Sequence, residues 1–302
     1  MRNTAVKTLT ILLLGVTLLT MATIVQAQPQ SQGRKAHFDM LTDIDDDRRQ
    51  VELLWVAPDE GGGPWPAILF VHGFQPPAED EPFAPGAKAM LEVPPRYPLF
   101  EMFRQKGFLV GAVSQSGYGN TDGPLDFCGP LTQQAIATAI EALKEHPRVS
   151  PERVFLHGRS RGAVASSVAA TRDLGVAGVI LESGVYDLKS EHADLLTRQK
   201  EPHHYIAANI ELEAGITDEA FIARSVLLTN RSIDVPTLII HGTEDGNVPA
   251  THAVRLHEHL KQRGADVQVV LFEGEAHHVQ PTKTAPVIEA FIARALGATT
   301  GR

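Results

Sequence analysis

One block constrains this chain more than any other: Phe155-Leu156-His157-Gly158-Arg159-Ser160-Arg161-Gly162-Ala163. An apolar strand runs into Gly-x-Ser-x-Gly and directly on into a helix predicted over Ala163–Leu174. So tight a strand-to-helix turn holds its serine in a strained conformation, and small residues two before and two after let strand and helix pass without collision. The hydroxyl is thereby pushed out at the C-terminal edge of the sheet. There it meets a helix N-terminus, whose dipole favours developing negative charge. The five-residue pattern alone arises often by chance; the strand before it and the helix after it give it weight.

The rest of the chain supplies the sheet. Short apolar strands are predicted near His37–Leu41, Gln50–Ala57, Ala67–Val71, Leu109–Val113, Arg153–Leu156, Ala177–Leu181, Thr237–Ile240 and Val267–Phe272. The first two lack an intervening helix and predict an antiparallel hairpin at one edge. From Ala67 onward helix-length segments separate the strands, which predicts parallel pairing with helices on both faces. Helices are expected at Tyr97–Gln105, Leu131–Leu143, Thr251–Arg263 and Pro281–Leu296, and Pro147 and Pro151 should break the chain before the fifth strand. Residues 188–233 read as a charged insert with helical pieces, placed where a small lid over the sheet edge would lie.

A serine nucleophile needs a base, and the base needs an orienting acid. The seventh strand ends in His241-Gly242-Thr243-Glu244-Asp245, and the eighth is followed by Glu273-Gly274-Glu275-Ala276-His277-His278. Ser160, Asp245 and His277 thus emerge in that order, each just past the C-terminal end of a strand, where open α/β sheets place their sites. Glu182 and Asp187, after the sixth strand, are the alternative acids, and His278 is the alternative base. Oxyanion donors are expected from the backbone N–H groups of Arg161 and Phe74, with Gln75 as the alternative to Phe74. Arg159 and His278 are candidate substrate-binding residues. His72 and His241 are expected to support loop geometry.

The blocks Phe70-Val71-His72-Gly73, Gly158 to Gly162, Ile240 to Asp245 with Val248-Pro249, and Phe272 to His277 resemble the catalytic domain of prolyl oligopeptidase-type serine peptidases. Dienelactone hydrolase-like and acyl-esterase proteins share them. The resemblance covers roughly Trp65 to Leu296 and implies an α/β-hydrolase fold with an eight-stranded, mostly parallel sheet. It implies a serine hydrolase acting on short-peptide or ester bonds, with no metal or organic cofactor. Too few residues precede Trp65 for the large propeller such peptidases carry, and Ala163 stands where most have a second glycine. A non-catalytic binding protein on the same scaffold is the alternative.

At the start of the chain, Arg2 and Lys7 lead an apolar run from Leu9 to Val25 that ends in Val25-Gln26-Ala27. This predicts an export signal over residues 1–27, cleaved to leave one domain over 28–302, and a periplasmic or secreted location. Threonines in the run and a polar Gln28-Pro29-Gln30 sequel argue against a membrane anchor. The formal net charge of −9 gives no generic attraction for nucleic acid. Cys128 is the single cysteine, so no intramolecular disulfide forms. The acidic run Asp43 to Asp47 lacks the spacing of a calcium loop and reads as a solvated hairpin turn, and His257 and His259, two apart on a helix, do not share a face for zinc.

Overall fold

Apolar side chains alternate along the inner strands, so each of these feeds two cores. Leu69, Val71, Leu156, Val179 and Leu181 enter one, while Ile68, Phe70, Phe155, Ile180 and Leu238 enter the other. A computed structural model describes residues 36–76, 84–92, 98–198 and 203–299. The expected signal over residues 1–27 lies outside them, as does Tyr97, the expected start of a helix.

The strands are β1 (His37–Thr42), β2 (Gln50–Val56), β3 (Trp65–Val71), β4 (Leu109–Val113), β5 (Val149–Arg159), β6 (Gly178–Glu182), β7 (Thr237–Gly242) and β8 (Val267–Phe272). They form one eight-stranded sheet in the order β1-β2-β4-β3-β5-β6-β7-β8. β1 and β2 pair antiparallel, β2 meets β4 antiparallel, and every other neighbour pair is parallel.

Around the sheet lie α1 (Lys88–Glu92), α2 (Pro98–Gln105), α3 (Pro130–Glu145), α4 (Arg161–Ala169), α5 (Leu188–Thr197), α6 (His203–Glu213), α7 (Asp218–Ile222), α8 (Thr251–Gln262) and α9 (Pro281–Thr299). α3, α4 and α8 pack against one core, and α2 and α9 against the other. No helix among the described residues is long and apolar enough to cross a membrane.

Three local expectations are corrected. Pro151 does not precede β5 but lies within it. Val149 pairs with Trp65 and Val154 with Ala67, so the residues between them bulge out of register, where a missing N–H costs no ladder bond. The helix after Ser160 begins at once, at Arg161, and ends at Ala169 rather than Leu174. The β1–β2 turn is not wholly solvated: Asp43 is buried and takes an ion pair from Arg49 at 2.6 Å.

Candidate active site

The turn between β5 and α4 has no spare volume. A Cβ on Gly158 would stand 2.3 Å from the Gly162 carbonyl oxygen, and one on Gly162 would stand 2.1 Å from that of Val71. Only glycine fits where backbone approaches backbone so closely. Between them Ser160 sits at φ 53°, ψ −123°, a left-handed conformation that a non-glycine residue holds only under tertiary constraint. That constraint includes the Ser160 amide donating to the Glu182 carbonyl on β6 at 2.7 Å. The Ser160 hydroxyl does not cap α4, so it is free to face the histidine loop.

That loop follows β8 and brings His277 Nε2 to 2.9 Å from Ser160 Oγ. His277 Nδ1 lies 2.7 Å from Asp245 Oδ2, in the loop after β7. The Nδ1–H therefore donates to the carboxylate, and Nε2 is left to accept the serine proton. Asp245 is over-determined: Oδ1 accepts the Asn247 and Val248 amides, both at 2.9 Å, while Oδ2 also lies 3.0 Å from His241 Nε2. His241 is wholly buried, and the same Nε2 reaches the Val248 carbonyl at 3.0 Å. Two oxygen acceptors around one nitrogen fix the Nε2–H tautomer. Burial alone would raise the Asp245 pKa, but hydrogen bonds from His241 and His277 and the Val248 amide hold it well below the ordinary carboxylate range.

The alternative acids are occupied elsewhere. Asp187 caps α5 through the Ser190 amide at 3.0 Å and pairs with Arg255 at 2.6 Å. Glu182 faces His157 at 3.3 Å. The alternative base, His278, packs on His277 with ring centroids 4.9 Å apart and no hydrogen bond to the serine.

The loop after β3 passes beside Ser160; a Cβ on Gly73 would lie 3.9 Å from its Oγ. His72 sets this approach. Fully buried, its Nε2 accepts the Gln115 amide at 3.2 Å, so its Nδ1–H donates to the Gly73 carbonyl at 2.8 Å. Burial pushes its pKa down to about 4, so it is neutral. Gln75, the alternative oxyanion residue, ties the loop to the Gly86 carbonyl at 3.1 Å through its side chain. Phe74 follows Gly73 at the mouth, its ring 5.7 Å from Tyr205. The Arg161 N–H is the first amide of α4 and has no acceptor within its own helix.

A cavity of about 810 Å³ opens over Ser160 and His277, roofed by Tyr205, Ile206, Asn209 and Ile210 of the insert. The insert is fastened at points that no sequence pattern marks. The Arg161 guanidinium pairs with Glu213 of α6 while lying 4.5 Å over the Phe127 ring. Arg198 donates to the Asn247 carbonyl at 3.2 Å, and His203 lies 2.9 Å from the Gly246 carbonyl, so both hold the Asp245 loop. Cys128 is buried under the elbow, its thiol on the Arg161 carbonyl at 3.0 Å and pushed up to about 12 by burial. Arg159 and His278 both line the cavity.

The sequence profile of the prolyl oligopeptidase family matches residues 130–298. That of the X-Pro dipeptidyl-peptidase (S15) family matches residues 47–194. Together with the fold, this defines a serine hydrolase. The chain belongs to the prolyl oligopeptidase family. Among curated proteins it is 26% identical over 187 residues to the uncharacterized peptidase YtmA of Bacillus subtilis (strain 168), covering 62% of this chain and 71% of that one. Among solved structures, acylaminoacyl peptidase of Pyrococcus horikoshii aligns with TM-score 0.63 at 20% identity over 82% of this chain. An esterase of Pyrococcus furiosus aligns with TM-score 0.63 at 17% identity over 86% of this chain and 91% of its own. These likenesses are those of the α/β-hydrolase fold. The chain spans only 38% of the acylaminoacyl peptidase.

Proposed function

We propose that this protein hydrolyses small esters or short peptides through an acyl-enzyme on Ser160. The observation that carries the reading is the unbroken hydrogen-bond line from Ser160 Oγ through His277 to Asp245, at 2.9 and 2.7 Å. His277 Nε2 takes the hydroxyl proton as Oγ bonds to the scissile carbonyl carbon, and the imidazolium is stabilised by Asp245. The oxyanion is received by the Arg161 and Phe74 amides. Collapse expels the leaving group, which takes the proton from His277. Water then attacks the acyl-enzyme with the same base, releasing the acid and restoring Ser160. Asp245 is held well below the ordinary carboxylate range by its donors, so the Nδ1 proton stays on the imidazole and does not pass to the carboxylate.

Capture of a peptide amino terminus is not favoured by the cavity. Among the described residues the one carboxylate on its wall, Glu191, is buried and accepts from His252 at 3.0 Å, and its other oxygen is sealed from solvent. This favours small acyl esters over peptides read from a charged amino terminus.

Labelling with a fluorophosphonate, wild type against Ser160→Ala, tests the assignment, with turnover of p-nitrophenyl acetate and Gly-Pro-p-nitroanilide alongside. The expected result is labelling that requires Ser160, faster ester than anilide cleavage, and a loss of at least about 10³-fold in the variant. A folded wild-type protein that resists the probe would overturn the reading and leave a binding protein on a hydrolase scaffold.

A further inference from the structure

The charged side chains on the cavity wall are matched, with one exception. Arg161 is paired with Glu213, and Glu191 accepts from His252. Arg159, one residue before Ser160 and half-buried, lines the cavity and makes no side-chain hydrogen bond or ion pair with any described residue. Its natural protein partner would be Glu182, directly opposite it on β6 and on the same face of the sheet. The Glu182 carboxylate instead turns to His157 at 3.3 Å, beneath the sheet edge. His278, beside Arg159 on the rim, offers no negative charge. Its ring is pushed down to about 4 by desolvation and by the nearby Arg159 and His277.

A guanidinium withdrawn partly from water beside the apolar Ile206, Ile210, Val185 and Val248 of the cavity loses solvation that Glu182, acting on it only at a distance, restores in part and no contact partner among the described residues completes. A ligand carboxylate restores it, and the planar fork of arginine receives one with two parallel, charge-assisted hydrogen bonds. Because Arg159 adjoins the nucleophile, a carboxylate docked there lies only a few bonds from the carbonyl presented to Ser160. We infer that Arg159 is an anion receptor and that the substrates of this site are small esters or amides carrying a carboxylate. The inference rests on the Ser160 reading above and narrows it. The carboxylate belongs either to the acyl part or to the leaving group, and both present the same chemistry to the guanidinium.

Two matched substrate pairs distinguish these sources. Mono-p-nitrophenyl adipate against p-nitrophenyl hexanoate varies the charge on the acyl side at equal chain length. 3-Acetoxybenzoate against 3-acetoxybenzamide varies it on the leaving group. The readout is the ratio of kcat/KM, charged over neutral, in wild type, Arg159→Gln and Arg159→Lys, after subtraction of spontaneous hydrolysis. One pair should favour the charged substrate by about tenfold or more in the wild type, a preference lost in Arg159→Gln and partly kept in Arg159→Lys. A ratio at or below one for both pairs in the wild type overturns the inference. So does a preference that survives in Arg159→Gln, which would return Arg159 to Glu182. Fluorophosphonate labelling of the same wild-type sample separates the two levels. Labelled protein without preference defeats the anion receptor alone, whereas unlabelled protein defeats the serine reading beneath it.

Discussion

Around Ser160 the chain is held by exclusion, and across α5 to α7 it is held by a few attachments. At the elbow, Gly158, Gly162 and the β3 backbone touch so closely that no side-chain atom can be added, and every residue of α4 is buried. The insert buries Leu195, Ala207 and Ile210 beneath it but leaves Leu196, Leu212 and Ile216 exposed. It is tied to the elbow and the Asp245 loop by Arg161–Glu213, Arg198–Asn247 and His203–Gly246. Exclusion tolerates no substitution, whereas attachments can be lost one at a time. The two regions should therefore fail differently.

The largest expected effect is at the elbow. Gly162→Ala places a Cβ 2.1 Å from the Val71 carbonyl oxygen and 2.6 Å from that of His72. Both are backbone atoms of the central strand's end, which no rotamer change relieves. The cost should exceed about 4 kcal/mol, enough to remove soluble folded protein or most of its thermal stability. Circular dichroism melts of Gly162→Ala beside Gly246→Ala, whose Cβ meets nothing within 4 Å, provide the comparison. Equal melting temperatures would show that the elbow is not held by exclusion.

The insert should answer to charge. Arg161 and Glu213 are each only 5% exposed at the side chain, so Glu213→Gln leaves a buried guanidinium without its counter-ion. Breaking one partner of such a pair costs about 3 kcal/mol, a figure that the Phe127 ring under the guanidinium should lessen. Replacing Glu213 rather than Arg161 leaves the residue next to Ser160 unaltered. Limited proteolysis should cut residues 188–233 faster, and KM should rise several-fold while kcat falls less. Unchanged proteolysis would assign the fastening to Arg198 and His203 instead.

The same contrast explains what was legible in the sequence. Steric exclusion is written locally: two glycines around one serine, a strand before and a helix after, and the β7 and β8 loops in the expected order. The eight strands, the antiparallel first pair and the positions of Ser160, Asp245 and His277 could all be read there. Attachments join residues far apart in the chain, such as Arg161 and Glu213, and neither carries a local pattern announcing the other. The second donor on Asp245, His241, lies in a block that could be read, but its contact depends on the turn bringing Val248 back over the strand end. Pro151 was misplaced for a related reason. Proline forbids a ladder bond, but a register shift against β3 leaves none to lose.

Acid should separate the regions on the pH axis, by an effect of similar size spread over several pH units. His72, which fixes the Gly73 approach, has its pKa lowered from 6.5 to about 4. As pH falls below about 6.5 the unfolded chain takes up this proton while the folded one does not. Stability is therefore lost progressively, and the loss is complete only near pH 4. A single site shifted this far contributes about 3 kcal/mol across that window. The Asp187 tie to Arg255 behaves otherwise: its carboxyl is lowered from 3.8, so its contribution persists above that value and disappears only below it. Urea midpoints measured from pH 7 to pH 4 should fall less steeply in His72→Gln than in the wild type, from a lower value at pH 7. His146, His259 and His278 are lowered too, at more exposed positions, so the difference between the two curves is the informative quantity. Parallel curves would mean that His72 takes up its proton in the folded state, with the Gly73 loop opening to admit water. The elbow side would then yield to acid as readily as the insert.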